Sequence, residues 1–159
     1  MGVQATMGLD STDAEMNKAF DPVLYAKHDP AKHKVIAWLR SKKILAFVNP
    51  DKYGIDIFAS RNDDNFEIEV EVKEKWIGKN YPFDTVHIST RKEKFATQNA
   101  GVSVWFCLVN NGQTHAVFVS CAEFLTAPTI TKNTSCTTSE SFREIKTGKV
   151  YRITTKQAT

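Results

Sequence analysis

Residues 55–73 read IDIFASRNDDNFEIEVEVK, and two stretches within them decide the fold. In Phe66–Lys73 the alternation is strict. Phe66, Ile68, Val70 and Val72 fall on one face, and Glu67, Glu69, Glu71 and Lys73 fall on the other, which is the period of a half-buried strand. Residues 55–60 alternate in the same way, and the polar run 61–65 between them reads as a turn, so the pair predicts an antiparallel hairpin. A loop symmetric about Asp63 and Asp64 pairs Ile55 with Val72, Ile57 with Val70 and Ala59 with Ile68, which gathers the apolar side chains on one face. The same register sets Asp56 opposite Glu71 and Gly54 opposite Lys73. Two carboxylates directly across a ladder repel. The pairing therefore predicts a compensating cation, and oxygen-only ligands select a hard divalent ion such as Mg²⁺ or Mn²⁺. Lys73, on the same face, would hold or activate a water beside it. The alternative reading is that residues 67–73 are the solvated face of an edge hairpin.

Working outward, Asp29-Pro30 places an N-cap residue before a proline at a first helical position, and Val35, Ile36, Trp38 and Leu39 follow at helical spacing. This predicts a helix from Pro30 to Lys43, preceded by a weakly helical segment over 11–28. Ile44–Val48 reads as a short strand that ends at Asn49-Pro50-Asp51. Thr90-Arg91-Lys92-Glu93 reads as a capping box opening a short helix, with Gly101 as its stop. Residues 102–109 (VSVWFCLV) are apolar on both faces and predict a central strand. Asn110-Asn111-Gly112 turns the chain into another strand over 113–119, and Ser120–Glu123 is a second capping box. Residues 127–141, rich in Thr and Ser, read as an irregular excursion, and 142–153 as a peripheral hairpin about Thr147-Gly148. The elements predict one α/β (α+β) domain over 1–159, with a core over about 30–120 and a central mixed β-sheet flanked by helices in αβββαββ order.

Asp56 at the start of one strand, fifteen positions before Glu71-Val72-Lys73 at the end of the next, resembles the PD-(D/E)xK nuclease superfamily. The resemblance spans about 30–119 and rests on this motif and the element order. It implies a restriction-endonuclease-like fold and Mg²⁺-dependent cleavage of phosphodiester bonds in DNA. Residue by residue, it implies that Asp56 and Glu71 ligate Mg²⁺ (or Mn²⁺), that the Val72 carbonyl is a third ligand, and that Lys73 is the catalytic amine that positions the attacking water. Ile55 stands where the motif has proline. A literal Pro50-Asp51 lies nearby, but turn chemistry already accounts for Asp51. Glu15 is the candidate for the extra carboxylate that such families often add, set against a plain solvent-facing role. The resemblance also implies a homodimer, since one site cuts one strand. The second reading is a non-catalytic module that keeps the nuclease fold and binds nucleic acid or protein.

Charge patterning supplies the candidate contacts to DNA. Residues 27–43 carry six bases against Asp29, residues 51–74 carry eight acids against three bases, and residues 75–94 turn basic again. An acidic centre between basic flanks suits a polyanion held through bound cations. Lys75 and the helix-start residues Arg91 and Lys92 are candidate phosphate contacts, as are Lys34 and Arg40 on the basic helix, which is either DNA-facing or solvent-facing. No glycine-rich nucleotide loop is present, so an ATP-driven or NAD-dependent enzyme is not expected. Asp84 and His87 have a metal-pair spacing but no third ligand close in sequence. Cys107, Cys121 and Cys136 are odd in number and widely spaced, which fits a reducing compartment rather than a disulfide framework. Without a membrane-length apolar run or a signal-peptide layout in residues 1–10, the expectation is a cytoplasmic, intracellular protein.

Overall fold

The computed structural model describes residues 22–98, 101–133 and 139–154, with side chains from Asp29 onward in the first of these. The chain runs α1 (Pro22–Ser41), β1 (Leu45–Val48), β2 (Ile57–Arg61), β3 (Asp64–Lys73) and β4 (Thr85–Ser89). A 3-10 turn (Thr90–Lys92) leads into α2 (Glu93–Thr97). Then come β5 (Ser103–Asn110), β6 (His115–Ser120), α3 (Cys121–Thr126), β7 (Thr129–Lys132), β8 (Glu140–Lys146) and β9 (Val150–Arg152). The expected αβββαββ order is present as α1-β1-β2-β3-α2-β5-β6, with β4 inserted before α2. Six strands form a central sheet in the order β1-β2-β3-β5-β6-β9, and three form a second sheet in the order β4-β8-β7. The central sheet is mixed. Only β3 and β5 run parallel within it, joined by the crossover through β4 and α2, and β5 is the central strand that its two apolar faces predict.

Ala31, Val35, Ile36 and Leu39 lie on one face of α1 and are buried against Ile57, Ala59, Ile68, Val70 and Val72 of the central sheet. This is the amphipathic stripe that the spacing predicts. The helix starts earlier than the Asp29-Pro30 signal indicates, at Pro22. Pro30 stands inside it, costing one backbone bond that the packing of the following turns outweighs. Its C-terminus closes as a Schellman motif, with Lys43 in the left-handed region and the Ile44 and Lys43 amides donating to the Leu39 and Arg40 carbonyls.

The opposite face of the central sheet carries a second core. Phe106, Leu108, Val117 and Val119 pack on Trp76, Val86, Ile88, Phe124 and Ile145. The second sheet therefore roofs the central one, which changes the reading of β3. Glu67 and Glu69 are buried, so this strand is covered on both faces rather than half-solvated.

Three further expectations are corrected. Residues 127–141 are not irregular where described, because β7 pairs with β8 from Thr129–Arg143 to Lys132–Glu140. Residues 142–153 are not a hairpin, because β8 and β9 belong to different sheets. The cap at the 3-10 turn is Ser89, whose hydroxyl accepts from the Arg91 amide, one residue before the expected Thr90. The Ser120–Glu123 capping box at α3 is present in full.

Candidate metal and phosphate site

The hairpin that carries the motif is tighter than a loop centred on Asp63 and Asp64. Asn62 and Asp63 both have positive φ (49° and 69°) and form a two-residue turn flanked by the Arg61–Asp64 pair. This is the left-handed geometry that Asn and Asp tolerate and that matches strand twist. Ile57 therefore faces Ile68 and Ala59 faces Phe66. The pairing has moved by two residues, a whole pleat, so every side chain keeps its face and only its partner changes. Asp56, just before the first ladder residue Ile57, comes beside Glu69 and not opposite Glu71.

The loop before β2 fixes Asp56. Buried Asn49 donates through Nδ2 to the Ile55 carbonyl at 2.9 Å, its Oδ1 accepts from the Asp51 amide at 3.0 Å, and its own amide donates to the Asp56 carbonyl at 3.0 Å. Asp51 accepts from the Tyr53 amide at 3.0 Å, which is the turn role its sequence context indicates. Gly54 allows this closure, since a Cβ there would stand 2.6 Å from Asn49 Nδ2.

Asp56 Oδ2 accepts from the Val70 amide at 2.7 Å, and Oδ1 stands 3.1 Å from Lys32 Nζ. Lys32, one of the six bases over 27–43, is buried here at 7% exposure. Glu69 Oε2 accepts from Lys92 Nζ at 2.6 Å, while its Oε1 is buried and meets no donor. Burial first, and the Asp56 charge second, push the Glu69 carboxyl up to about 8. Burial alone would depress the Lys92 ammonium. Glu69, Glu71 and Asp56 together outweigh it and hold the ammonium above its ordinary value. Glu71 Oε2 lies 2.9 Å from Lys73 Nζ, which also donates to the His87 carbonyl at 2.6 Å. Burial, and then the Glu71 charge, push the Tyr81 phenol up to about 12.

Asp56, Glu69, Glu71, Lys73 and Lys92 thus share one region beneath the second sheet. Glu69 is the residue that the hairpin reading passed over. Val72 is buried and pairs with Val109 of β5. Lys75 and Lys34 are exposed, the first just past β3 and the second on α1. Arg91 is held 2.8 Å from Glu140, and Arg40 donates to the Ala46 carbonyl at 2.8 Å, tying the end of α1 to β1. Glu15 lies outside the described residues.

Among the described residues no group of three or more His, Cys, Asp or Glu side chains is arranged to hold a metal ion. What converges is a pair, Asp56 and Glu69, with one buried oxygen lacking a donor. A pair fits Mg²⁺, which commonly binds through one or two carboxylates and keeps several waters.

The chain is similar in structure to a Holliday junction resolvase from the archaeal hyperthermophile Archaeoglobus fulgidus. The TM-score is 0.49 and the identity 14%, over 76% of this chain and 84% of that chain. No family model matches the sequence, and no curated protein matches it. Likeness at that level carries no inference about this chain's chemistry. None of the described helices is long and apolar enough to cross a membrane.

Proposed function

We propose that this protein is a metal-dependent nuclease that hydrolyses phosphodiester bonds in DNA. The observation that supports it is the Asp56–Glu69 juxtaposition, in which a buried carboxyl with an orphaned oxygen stands beside a second carboxylate. Such a pair is a costly arrangement unless a proton or a cation sits with it. Asp56 and Glu69 would hold Mg²⁺ or Mn²⁺ through hard oxygen donors, with Glu71 near enough to add an outer contact. When bound, the ion lowers the pKa of a coordinated water and offsets charge on the phosphodiester. Lys73 presents its ammonium beside Glu71 on the same face of β3, oriented by Glu71 and the His87 carbonyl, where it would stabilise the charge that develops on phosphate oxygens in the transition state. Asp56 stays fixed throughout because the Val70 amide and Lys32 both hold it.

A second reading, a binding module on this fold that does not cut, is favoured by one observation. Lys32, Lys73 and Lys92 already pair with Asp56, Glu71 and Glu69, so the cluster holds its own countercharge.

Incubation of plasmid and linear DNA with Mg²⁺, Mn²⁺ or EDTA separates the two readings, alongside Asp56→Asn, Glu69→Gln and Lys73→Met. The nuclease reading expects metal-dependent cutting that falls by about a hundredfold or more in each variant. Salt-sensitive binding with no cutting under any ion would sink it in favour of the module.

A further inference from the structure

His87 joins two cations from different parts of the chain. It pairs across the second sheet with Glu144, and its Nε2 lies 2.9 Å from Glu144 Oε2. Its Nδ1 lies 2.7 Å from Lys132 Nζ at the end of β7. An ammonium has no lone pair, so Nδ1 must accept this hydrogen bond and Nε2 is the donor to Glu144. The Lys132 ammonium is thus steered by His87 and also stands 4.8 Å from the Phe142 ring centroid. The main-chain carbonyl of the same His87 accepts from Lys73.

Lys73 and Lys132 therefore meet at His87, one at its carbonyl and the other at its ring, with Lys75 two residues beyond Lys73. Burial, and then the charges of Lys73 and Lys75, press the Lys132 ammonium below its ordinary value. Glu140 and Glu144 act in the other direction, but Glu140 is engaged by Arg91 and Ser89, and Glu144 by His87. Lys73 keeps Glu71 as its partner, so the excess positive charge here is that of Lys75 and Lys132, and an anion with more than one available oxygen would meet it.

We propose that Lys132, together with Lys73 and Lys75, forms a binding position for a nucleic-acid backbone phosphate around His87 of β4, with His87 as the residue that positions Lys132. It deepens the nuclease reading and rests on it. Substrate would then be held by both sheets at once, Lys73 at the end of β3 in the central sheet and Lys132 in the second.

The test is fluorescence anisotropy of a labelled DNA duplex titrated with the full chain in Ca²⁺ across a series of potassium chloride concentrations. Loss of one phosphate contact lowers the slope of log K against log salt by about 0.9. Lys132→Met is expected to show that drop with affinity reduced several-fold, while Lys132→Arg keeps the slope. Lys149→Met, the same charge change beside β9 at the far edge of the central sheet, also leaves it unaltered. Lys132 is exposed, so unchanged melting temperatures confirm that the variants fold. Wild-type binding with the same slope and affinity in Lys132→Met overturns this position alone. A wild type that binds no nucleic acid overturns both this and the nuclease reading. A nucleoside monophosphate that competes as well per phosphate as the duplex overturns the assignment to a polymer backbone.

Discussion

Lys92 Nζ stands 2.6 Å from Glu69 Oε2, and Asp56, the neighbour that raises the Glu69 carboxyl, is itself 3.1 Å from Lys32. Two ammonium groups, one from α1 and one from the turn ahead of α2, thus flank a carboxylate pair whose repulsion they only partly relieve. A divalent ion entering this pair would meet Lys92 as a competing positive charge.

Lys92→Met is accordingly expected to bind Mn²⁺ more tightly than wild type, by several-fold in isothermal calorimetry. The same variant leaves buried Glu69 Oε2 without its donor, so its metal-free form is expected to lose about 1–3 kcal/mol in urea unfolding. Added Mn²⁺ should recover more of that stability than it gives the wild type. Equal Mn²⁺ affinity in the two proteins would show that Lys92 does not oppose the ion.

Metal-free stability should depend on pH through Glu69. Its carboxyl is raised from 4.5 to about 8 in the fold, so between those values the native state holds a proton that the unfolded chain releases. Stability from this group is complete below about 4.5 and is lost as pH rises through 8. The melting temperature in EDTA is expected to fall by several degrees across this window, and Glu69→Gln should flatten the fall. A profile equally steep in Glu69→Gln would assign the dependence elsewhere.

Gly54→Ala should displace Asn49, because the new methyl would stand 2.6 Å from its Nδ2. The expected cost is about 1–3 kcal/mol. The carbonyl of Asp56 is bonded to the Asn49 amide, so nuclease activity should fall by more than the fraction unfolded explains. Thermal melts and cleavage rates on the same sample check both effects.

The hairpin register can be read by cross-linking. Ser60 and Asn65 are partners in the pair next to the turn-flanking one, where Cα atoms lie about 4.5 Å apart and a disulfide can close. Ser60→Cys with Asn65→Cys should oxidise readily, whereas Ser60→Cys with Glu67→Cys, the partners under a turn centred on Asp63 and Asp64, should not.

The sequence carried the apolar half of this structure well. Val35, Ile36 and Leu39 define the buried face of α1, and the doubly apolar stretch 102–109 locates the central strand, because both follow from periodicity and burial. Alternation in Phe66–Lys73 separated the two faces of β3, but it could not report that a second sheet covers the charged one. That sheet assembles from β4, β7 and β8, short strands far apart in sequence that carry Thr, Ser and charged residues, with little local signal. Periodicity was also blind to a shift of two residues. The signal that distinguishes the registers was Asn62-Asp63, a dipeptide suited to a two-residue turn, and it sets Glu69 rather than Glu71 beside Asp56. The Lys92–Glu69 contact, which links β3 to the turn ahead of α2, has no sequence signature of its own.

The tightness of the Asn62-Asp63 turn has an evolutionary corollary. Lengthening that tip by two residues would slide one strand past the other by a full repeat, swapping which acid stands beside Asp56 while leaving the oily side of the hairpin undisturbed. The length of an exposed tip thus governs which acid neighbours Asp56 at the buried end of the hairpin.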